Sequence, residues 1–273
     1  MKKIFLLLIL YVLVSSGSLS RADTIRHITP YVGPITNKIT STTTGSKIED
    51  QALLEGIYYQ QINPDSYQWN LFLYMSQNIN QSDLLGGHII ADRYFKKTDK
   101  GKFVIGSGMN ALDLSSSPIA VTNSVSISVA HTIYAPYVRT GYYFYLKKGK
   151  GINFTLMPWA GYETDIVRGE IKTDIQPNFP APPTITNRTS IDHTYEYGLA
   201  GLQFKVDYNH FLNGKIKYHR KFSFDSQSGD LHNASAMVNV NLSRKWGISY
   251  RYKYSEEITA TNSYHIFGIS YVF

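Results

Sequence analysis

The sequence predicts an all-β protein, a transmembrane antiparallel up-and-down β-barrel of about twelve strands. Three observations predict this fold class. The chain begins with the pattern of an export signal, its later segments alternate between apolar and polar residues, and 14% of its residues are aromatic. No later segment offers the roughly 20 consecutive apolar residues that a membrane-spanning helix needs. We therefore expect strands to cross the membrane.

The export signal occupies residues 1–22. Lys2 and Lys3 precede an apolar run over 4–14, and small residues follow it. Ser20-Arg21-Ala22 offers a cleavage site before Asp23, as in a secretory signal peptide. Cleavage would remove three basic residues and no acidic residue from a chain whose net charge is +7. The mature chain would be mildly basic.

Two further segments follow the signal peptide. Residues 23–48 are polar and include Thr42-Thr43-Thr44-Gly45-Ser46. We expect them to form either a periplasmic leader or a plug folded into the lumen. Residues 49–273 form the barrel. Its predicted strands are 51–61, 67–77, 87–95, 103–112, 121–131, 136–146, 151–162, 200–208, 215–224, 234–242, 246–254 and 264–273.

The alternation is clearest at the C-terminus. Phe267, Ile269, Tyr271 and Phe273 share one face of the last strand, and smaller residues share the other. This ending resembles the C-terminal sorting signal of bacterial outer-membrane barrels, with a terminal Phe after apolar or aromatic residues at alternate positions. The resemblance covers about ten residues. It implies a Gram-negative outer-membrane location and recognition of the last strand by the assembly machinery.

The same phase, carried back through earlier strands, separates a lipid face from a lumen face. The residues predicted to line the lumen are Arg139, Gln203, Lys205, Lys215, Lys217, His219, Lys221, Asn239, Asn241, Arg251 and Lys253. Most are cationic, and cations in a narrow pore attract anions. The leading hypothesis is a small passive porin for anionic solutes such as acidic sugars. The alternative is a closed structural or surface-interaction barrel, in which these charges only stabilise the fold.

An even strand count places both termini in the periplasm, with short turns on that side. The long segment Glu163–His193 is then expected to be an outer loop. Acidic residues in the outer loops would either bridge to lipopolysaccharide phosphates through divalent cations or be solvated. Several residues do not fit the pattern, and Arg93 and Glu55 make the first strands ambiguous. Arg220 falls on the lipid face, and Pro158 suggests a bulge or a strand end.

Other function classes lack their motifs. Outer-membrane phospholipases are typified by a His-x-Ser motif, and no histidine of this sequence has a serine two residues further on. Asp192-His193 and Asp230 with His232 are the nearest approach to an outer-membrane protease, but no Asp-Asp pair occurs. A barrel hydrolase is therefore the third hypothesis, and we expect no enzyme activity. The sequence suggests no cofactor, no metal site and no nucleic-acid partner, and cysteine is absent.

Overall fold

The computed structural model describes residues 24–40, 47–63, 65–79, 82–116, 119–122, 125–149, 151–175, 184–209, 211–225, 229–256 and 260–273. The predicted signal peptide, 1–22, lies outside them. Within these ranges every regular element is a β-strand. The strands are β1 (Ile25–Thr40), β2 (Lys47–Asn63), β3 (Tyr67–Ile79), β4 (Ser82–Phe95), β5 (Gly101–Ser116), β6 (Ile119–Thr122), β7 (Val125–Lys148), β8 (Ile152–Ile175), β9 (Ile185–Tyr208), β10 (Leu212–Ser223), β11 (Leu231–Asn241), β12 (Trp246–Glu256) and β13 (Ala260–Val272).

All pairings are antiparallel, and β1 pairs with both β2 and β13, so the sheet closes on itself. The short strand β6 pairs with β7 beyond the point where β5 does, and thus continues the position of β5 in the wall. The wall therefore has twelve strand positions, and the predicted fold class is confirmed. None of the described residues form a helix that is long and apolar enough to cross a membrane.

Strand β1 corrects the predicted leader or plug over residues 23–48. Residues 25–40 belong to the barrel wall, and β2 begins at Lys47. Tyr31 and Ile35 are buried inside the barrel, whereas Val32 is 47% exposed on its outer face. Residues 23 and 41–46 of the predicted leader lie outside the described part of the chain.

Prolines inside strands explain why β1 was hard to predict. A proline cannot donate to a ladder and argues against a central strand. In β1, the pairing with β13 skips Pro30 and Pro34, while both remain paired with β2. The pairing of β7 with β8 likewise skips Pro136 and Pro158. Each proline thus lies where one ladder is interrupted, and Pro158 ends no strand.

The strands extend further at one end of the barrel than at the other. We call the end with Ile25 and Val272 the terminus end, and the opposite end the extension end. Strands β7, β8 and β9 have 24 residues each, whereas about 10 residues suffice to cross a membrane. The predicted loop Glu163–His193 is wrong for this reason, since β8 continues to Ile175 and β9 starts at Ile185. Likewise, residues 125–131 and 136–146, predicted as parts of two strands, belong to the single strand β7, whereas residues 121–122 belong to β6.

The outer surface carries an apolar band between two sets of aromatic residues. Phe144, Tyr208 and Trp246 are exposed near the terminus end, and Tyr162 and Phe222 are exposed nearer the extension end. Tyr162 lies ten residues along β8 from Ile152. That separation gives about 25 Å of height in a strand tilted by about 40°. It matches the apolar band of a transmembrane barrel, so the exposed aliphatic side chains between the two sets would meet lipid.

Candidate functional site in the barrel lumen

The lumen contains a cavity of about 1410 Å³ that begins at the extension end. The cavity is lined near its mouth by residues such as Ile171, Ile191 and Glu256, and at depth by Tyr58 and Trp159. Below it, side chains from the wall fill the lumen. Val104, Met157 and Ser249 are 0% exposed, although inward residues of an open pore would contact water. The cavity therefore ends on a floor of packed side chains.

Four basic residues form one side of the cavity, which we call the cationic wall: Lys215 and Lys217 on β10, and Arg251 and Lys253 on β12. The register places them in two rows across β11. One row runs Lys215, Met237, Arg251, and the next runs Lys217, Ser235, Lys253. Because alternate residues of a strand share a face, all four side chains belong to the same inner surface.

Other predicted lumen cations are neutralised by acids. The carboxylate of Asp92 accepts two hydrogen bonds from Arg139 Nη2, at 2.7 and 2.8 Å. Lys221 pairs with Glu163 and with Asp165. Such pairs hold the wall strands together and neutralise the charges of Arg139 and Lys221. This arrangement is the stabilising charge network of the alternative hypothesis.

The pairing of Lys205 with Asp207, at 3.0 Å, lies nearer the terminus end. Gln203 is also outside the cavity, where its amide donates to the Tyr143 hydroxyl at 3.3 Å. Asn239 accepts a hydrogen bond from Ser249. Of the eleven predicted lumen residues, six line the cavity: Lys215, Lys217, His219, Lys221, Arg251 and Lys253. The others, Arg139, Gln203, Lys205, Asn239 and Asn241, are not among the lining residues.

Lys215 and Lys217 form no ion pair with any carboxylate of the described residues. The contact of Lys217 is instead with an aromatic ring, since its Nζ lies 4.6 Å from the centre of the Trp159 ring. The Arg251 guanidinium likewise contacts neutral groups. It lies 3.4 Å from the centre of the Tyr58 ring, and its Nε donates to the Tyr31 hydroxyl at 2.9 Å. Lys215, Lys217 and Arg251 thus have no carboxylate partner among the described residues.

The opposite side of the cavity is apolar, a feature that the sequence reading missed. We call it the aliphatic wall: Leu84, Leu112, Leu114, Ile133, Val167 and Ile191, on β4 to β9. Neighbours in the sheet make it continuous, because Leu84 pairs with Leu114, and Ile133 pairs with both Leu112 and Val167. His131 and His193 also line this side. Adjacent apolar residues such as Leu84-Leu85 could have indicated this wall. Where the lumen face of a strand is apolar as well as the lipid face, polar residues no longer alternate with apolar ones.

The acidic residues of the extension are mostly paired. Asp174 lies 2.7 Å from Lys172, and that hydrogen bond, with another from Thr186, lowers the pKa of the Asp174 carboxyl. A backbone hydrogen bond from Ser223 lowers the pKa of Asp230, and the pairing of Asp230 with Arg220 adds to this effect. That pairing also explains how Arg220 can lie on the outer face, because Asp230 neutralises its charge at the extension end.

The residues considered for a hydrolase are scattered. The Asp192 carboxylate lies 3.8 Å from Arg168, and His232 Nδ1 is 2.7 Å from the Tyr218 hydroxyl. Asp192 is not among the residues that line the cavity, whereas its neighbour His193 is. The part of the chain described by the structure holds no group of three His, Asp or Glu side chains that could bind a metal ion.

The predicted sorting residues lie on the last strand. Phe267, Ile269 and Phe273 are 51–60% exposed on its outer face. Tyr271 packs beside Phe273 and Trp246, with ring centres 6.0 and 4.8 Å away. These four side chains give the strand that closes the barrel an apolar outer edge. Recognition of this edge by the assembly machinery stays a prediction.

Similar solved structures are bacterial outer-membrane proteins. The translocator domain of autotransporter NalP from Neisseria meningitidis matches with a TM-score of 0.54 and 16% identity, over 95% of this chain and 92% of that chain. The β domain of the Bordetella autotransporter BrkA gives 0.48 and 12%, over 89% and 98%. The Pseudomonas putida toluene transporter TodX gives 0.46 and 10%, over 96% and 93%. No protein-family model and no curated protein matches. The chain has the fold of a bacterial outer-membrane β-barrel.

Proposed function

We propose that the protein is an integral outer-membrane barrel that takes up small anionic solutes through its lumen. The observation that carries this proposal is the position of two basic residues, Lys215 and Lys217, which face the cavity and pair with no described carboxylate. A charge inside a low-dielectric cavity attracts the opposite charge more strongly than one in water does. Anions would therefore concentrate in the cavity and cations would be repelled.

The proposed orientation has the terminus end in the periplasm and the extension end outside. Short connections such as 149–151 and 242–245 join the strands at the terminus end, as in the periplasmic turns of such barrels. The C-terminal strand would be recognised there by the assembly machinery. The apolar band would contact membrane lipid, and the extension would contact lipopolysaccharide. Solutes would enter from outside.

The packed floor gives this channel a gate, because a solute must displace side chains such as Met157 and Val104 to reach the periplasm. The floor also favours a second candidate function, a permanently closed barrel that only binds its ligand or partner at the outer side. The two candidates predict different behaviour. A gated channel passes ions in short openings, whereas a closed barrel passes none.

Planar-bilayer recording of the refolded protein in a potassium chloride gradient tests the proposal. We expect step openings with a reversal potential of the sign set by chloride, and loss of this preference when Lys215 and Lys217 are both changed to Gln. The matched control is Lys100→Gln, because Lys100 is exposed in the turn between β4 and β5 at the terminus end. An absence of openings would favour the closed barrel, and a cation preference would contradict the anion selectivity.

A further inference from the structure

The cavity is amphipathic, with charge on one side and hydrocarbon on the other. The cationic wall comes from β10 and β12, and the aliphatic wall comes from β4 to β9. In the closed sheet, β4 and β5 lie across the lumen from β10 and β12, whereas β9 pairs directly with β10, so the two surfaces face the same enclosed volume. A ligand that occupies this volume contacts both of them.

We propose that the lumen binds amphipathic anions, which carry a carboxylate or similar headgroup on an aliphatic chain. This inference rests on the proposed function, since the ligand is the solute that the barrel would admit. The headgroup would lie beside Lys215 and Lys217. The chain would lie along the aliphatic wall, where Leu112 and Ile133 are direct neighbours.

The basic side chains of the cationic wall favour an anionic ligand. Lys217 is held over the Trp159 ring, and Lys215 lies in the row that also contains Arg251. Lys215, Lys217 and Arg251 have no carboxylate partner among the described residues, and a bound carboxylate would stabilise the charged forms of these grouped basic side chains. A neutral hydrocarbon would offer these basic side chains no anionic partner.

The aliphatic wall requires a chain. Burial of apolar surface is favourable in proportion to the area removed from water. An inorganic anion would leave Leu112, Ile133 and Val167 in contact with water, and so would a charged sugar, whose hydroxyl groups would find few partners on that wall. The cavity volume, about 1410 Å³, exceeds the roughly 300–1,000 Å³ of ordinary ligand pockets. Chains of eight carbons or more therefore have room.

Trp159 reports on this site directly, because it lines the cavity and contacts Lys217. The other two tryptophans, Trp69 and Trp246, can be changed to Phe so that one fluorophore remains. The probe is 8-bromooctanoate, whose bromine quenches a nearby indole. The full chain in lipid nanodiscs is titrated with it, and we expect saturable quenching of Trp159.

Competition identifies the ligand class. Octanoate should displace the probe and reverse the quenching. The concentration of octanoate needed should be at least tenfold lower than that of octanol, octyltrimethylammonium, butyrate or glucuronate. Equal competition by octanol would show that the charge contributes nothing. Equal competition by butyrate or glucuronate would show that the chain contributes nothing. Each of these results overturns the proposal, as does quenching that never saturates.

Variants assign the two walls. Lys217→Met and Leu112→Gln should each weaken the binding of octanoate at least tenfold. Lys100→Met, at the terminus end, should leave the binding unchanged. A heat-dependent shift in gel mobility shows whether each variant is folded. If Lys217→Met does not fold, Lys217→Arg replaces it in the test and should retain binding of octanoate. Bilayer recordings separate the two proposals. Chloride-selective openings without preferential octanoate binding would overturn this inference alone. Octanoate binding without openings would overturn the channel alone.

Discussion

Asp92 and Arg139 form a buried bidentate ion pair across Gly106. Arg139 on β7 lies opposite Gly106 on β5, which in turn lies opposite Asp92 on β4. A Cβ atom on Gly106 would be 2.2 Å from an Asp92 carboxylate oxygen and 3.1 Å from Arg139 Nε. Because Gly106 has no side chain, β5 leaves space for Asp92 on β4 to form an ion pair with Arg139 on β7.

Removal of one partner should destabilise the barrel strongly. Both side chains are at most 5% exposed, and the loss of one partner of a buried pair costs about 3–5 kcal/mol. We expect Asp92→Ala and Arg139→Ala each to lower the free energy of unfolding by about that amount, measured by urea denaturation in lipid vesicles. The double variant Asp92→Leu/Arg139→Leu should be less damaged than either single one. A larger loss in the double variant would contradict the pairing.

Gly106→Val should act through the same pair. The added methyl groups would displace the Asp92 carboxylate, and such overpacking costs about 1–3 kcal/mol. The same urea titration measures this effect. Gly229→Val is the control, because nothing lies within 4 Å of a Cβ atom there. Equal stability of the Gly106 and Gly229 variants would mean that the space beside Gly106 is not needed.

Closure of the barrel through β1 can be tested at Gly33. A Cβ atom there would lie 2.0 Å from the His265 carbonyl oxygen of β13. Gly33→Val should therefore prevent the β1–β13 pairing and abolish the compact, heat-sensitive band of the folded barrel on gels. Gly214→Val, in open space, should leave that band intact. A normal band for Gly33→Val would contradict a wall position for residues 25–40.

Phe273 tests the predicted sorting signal. Deletion of Phe273 should reduce the amount of protein in isolated outer membranes at least tenfold, because the assembly machinery would no longer recognise the last strand. Phe273→Tyr, which keeps a terminal aromatic ring, should retain most of it. Fractionation with quantitative immunoblotting measures both variants. Normal membrane levels after the deletion would exclude a sorting role for this residue.

The fold followed from the sequence where one face of a strand was polar and the other apolar. In β10, Lys215 and Lys217 alternate with Ile216 and Tyr218, so the strand and its two faces could be predicted. At Leu84-Leu85 in β4 both faces are apolar, and only that adjacency marked Leu84 as a lumen residue. In β1, prolines at interrupted ladder positions concealed a wall strand. Long-range register, which brings Asp92 beside Arg139, depends on pairing between strands and is not encoded in local periodicity.

The absence of native cysteine allows the most direct test of the cationic cavity. Ser235 lies between Lys217 and Lys253 in the register and lines the cavity, so Ser235→Cys places one thiol beside the proposed anion site. We predict that a negatively charged methanethiosulfonate reagent modifies this thiol at least tenfold faster than a positively charged one, and that Lys217→Gln reduces the ratio. Equal rates, or faster modification by the cationic reagent, would contradict the account.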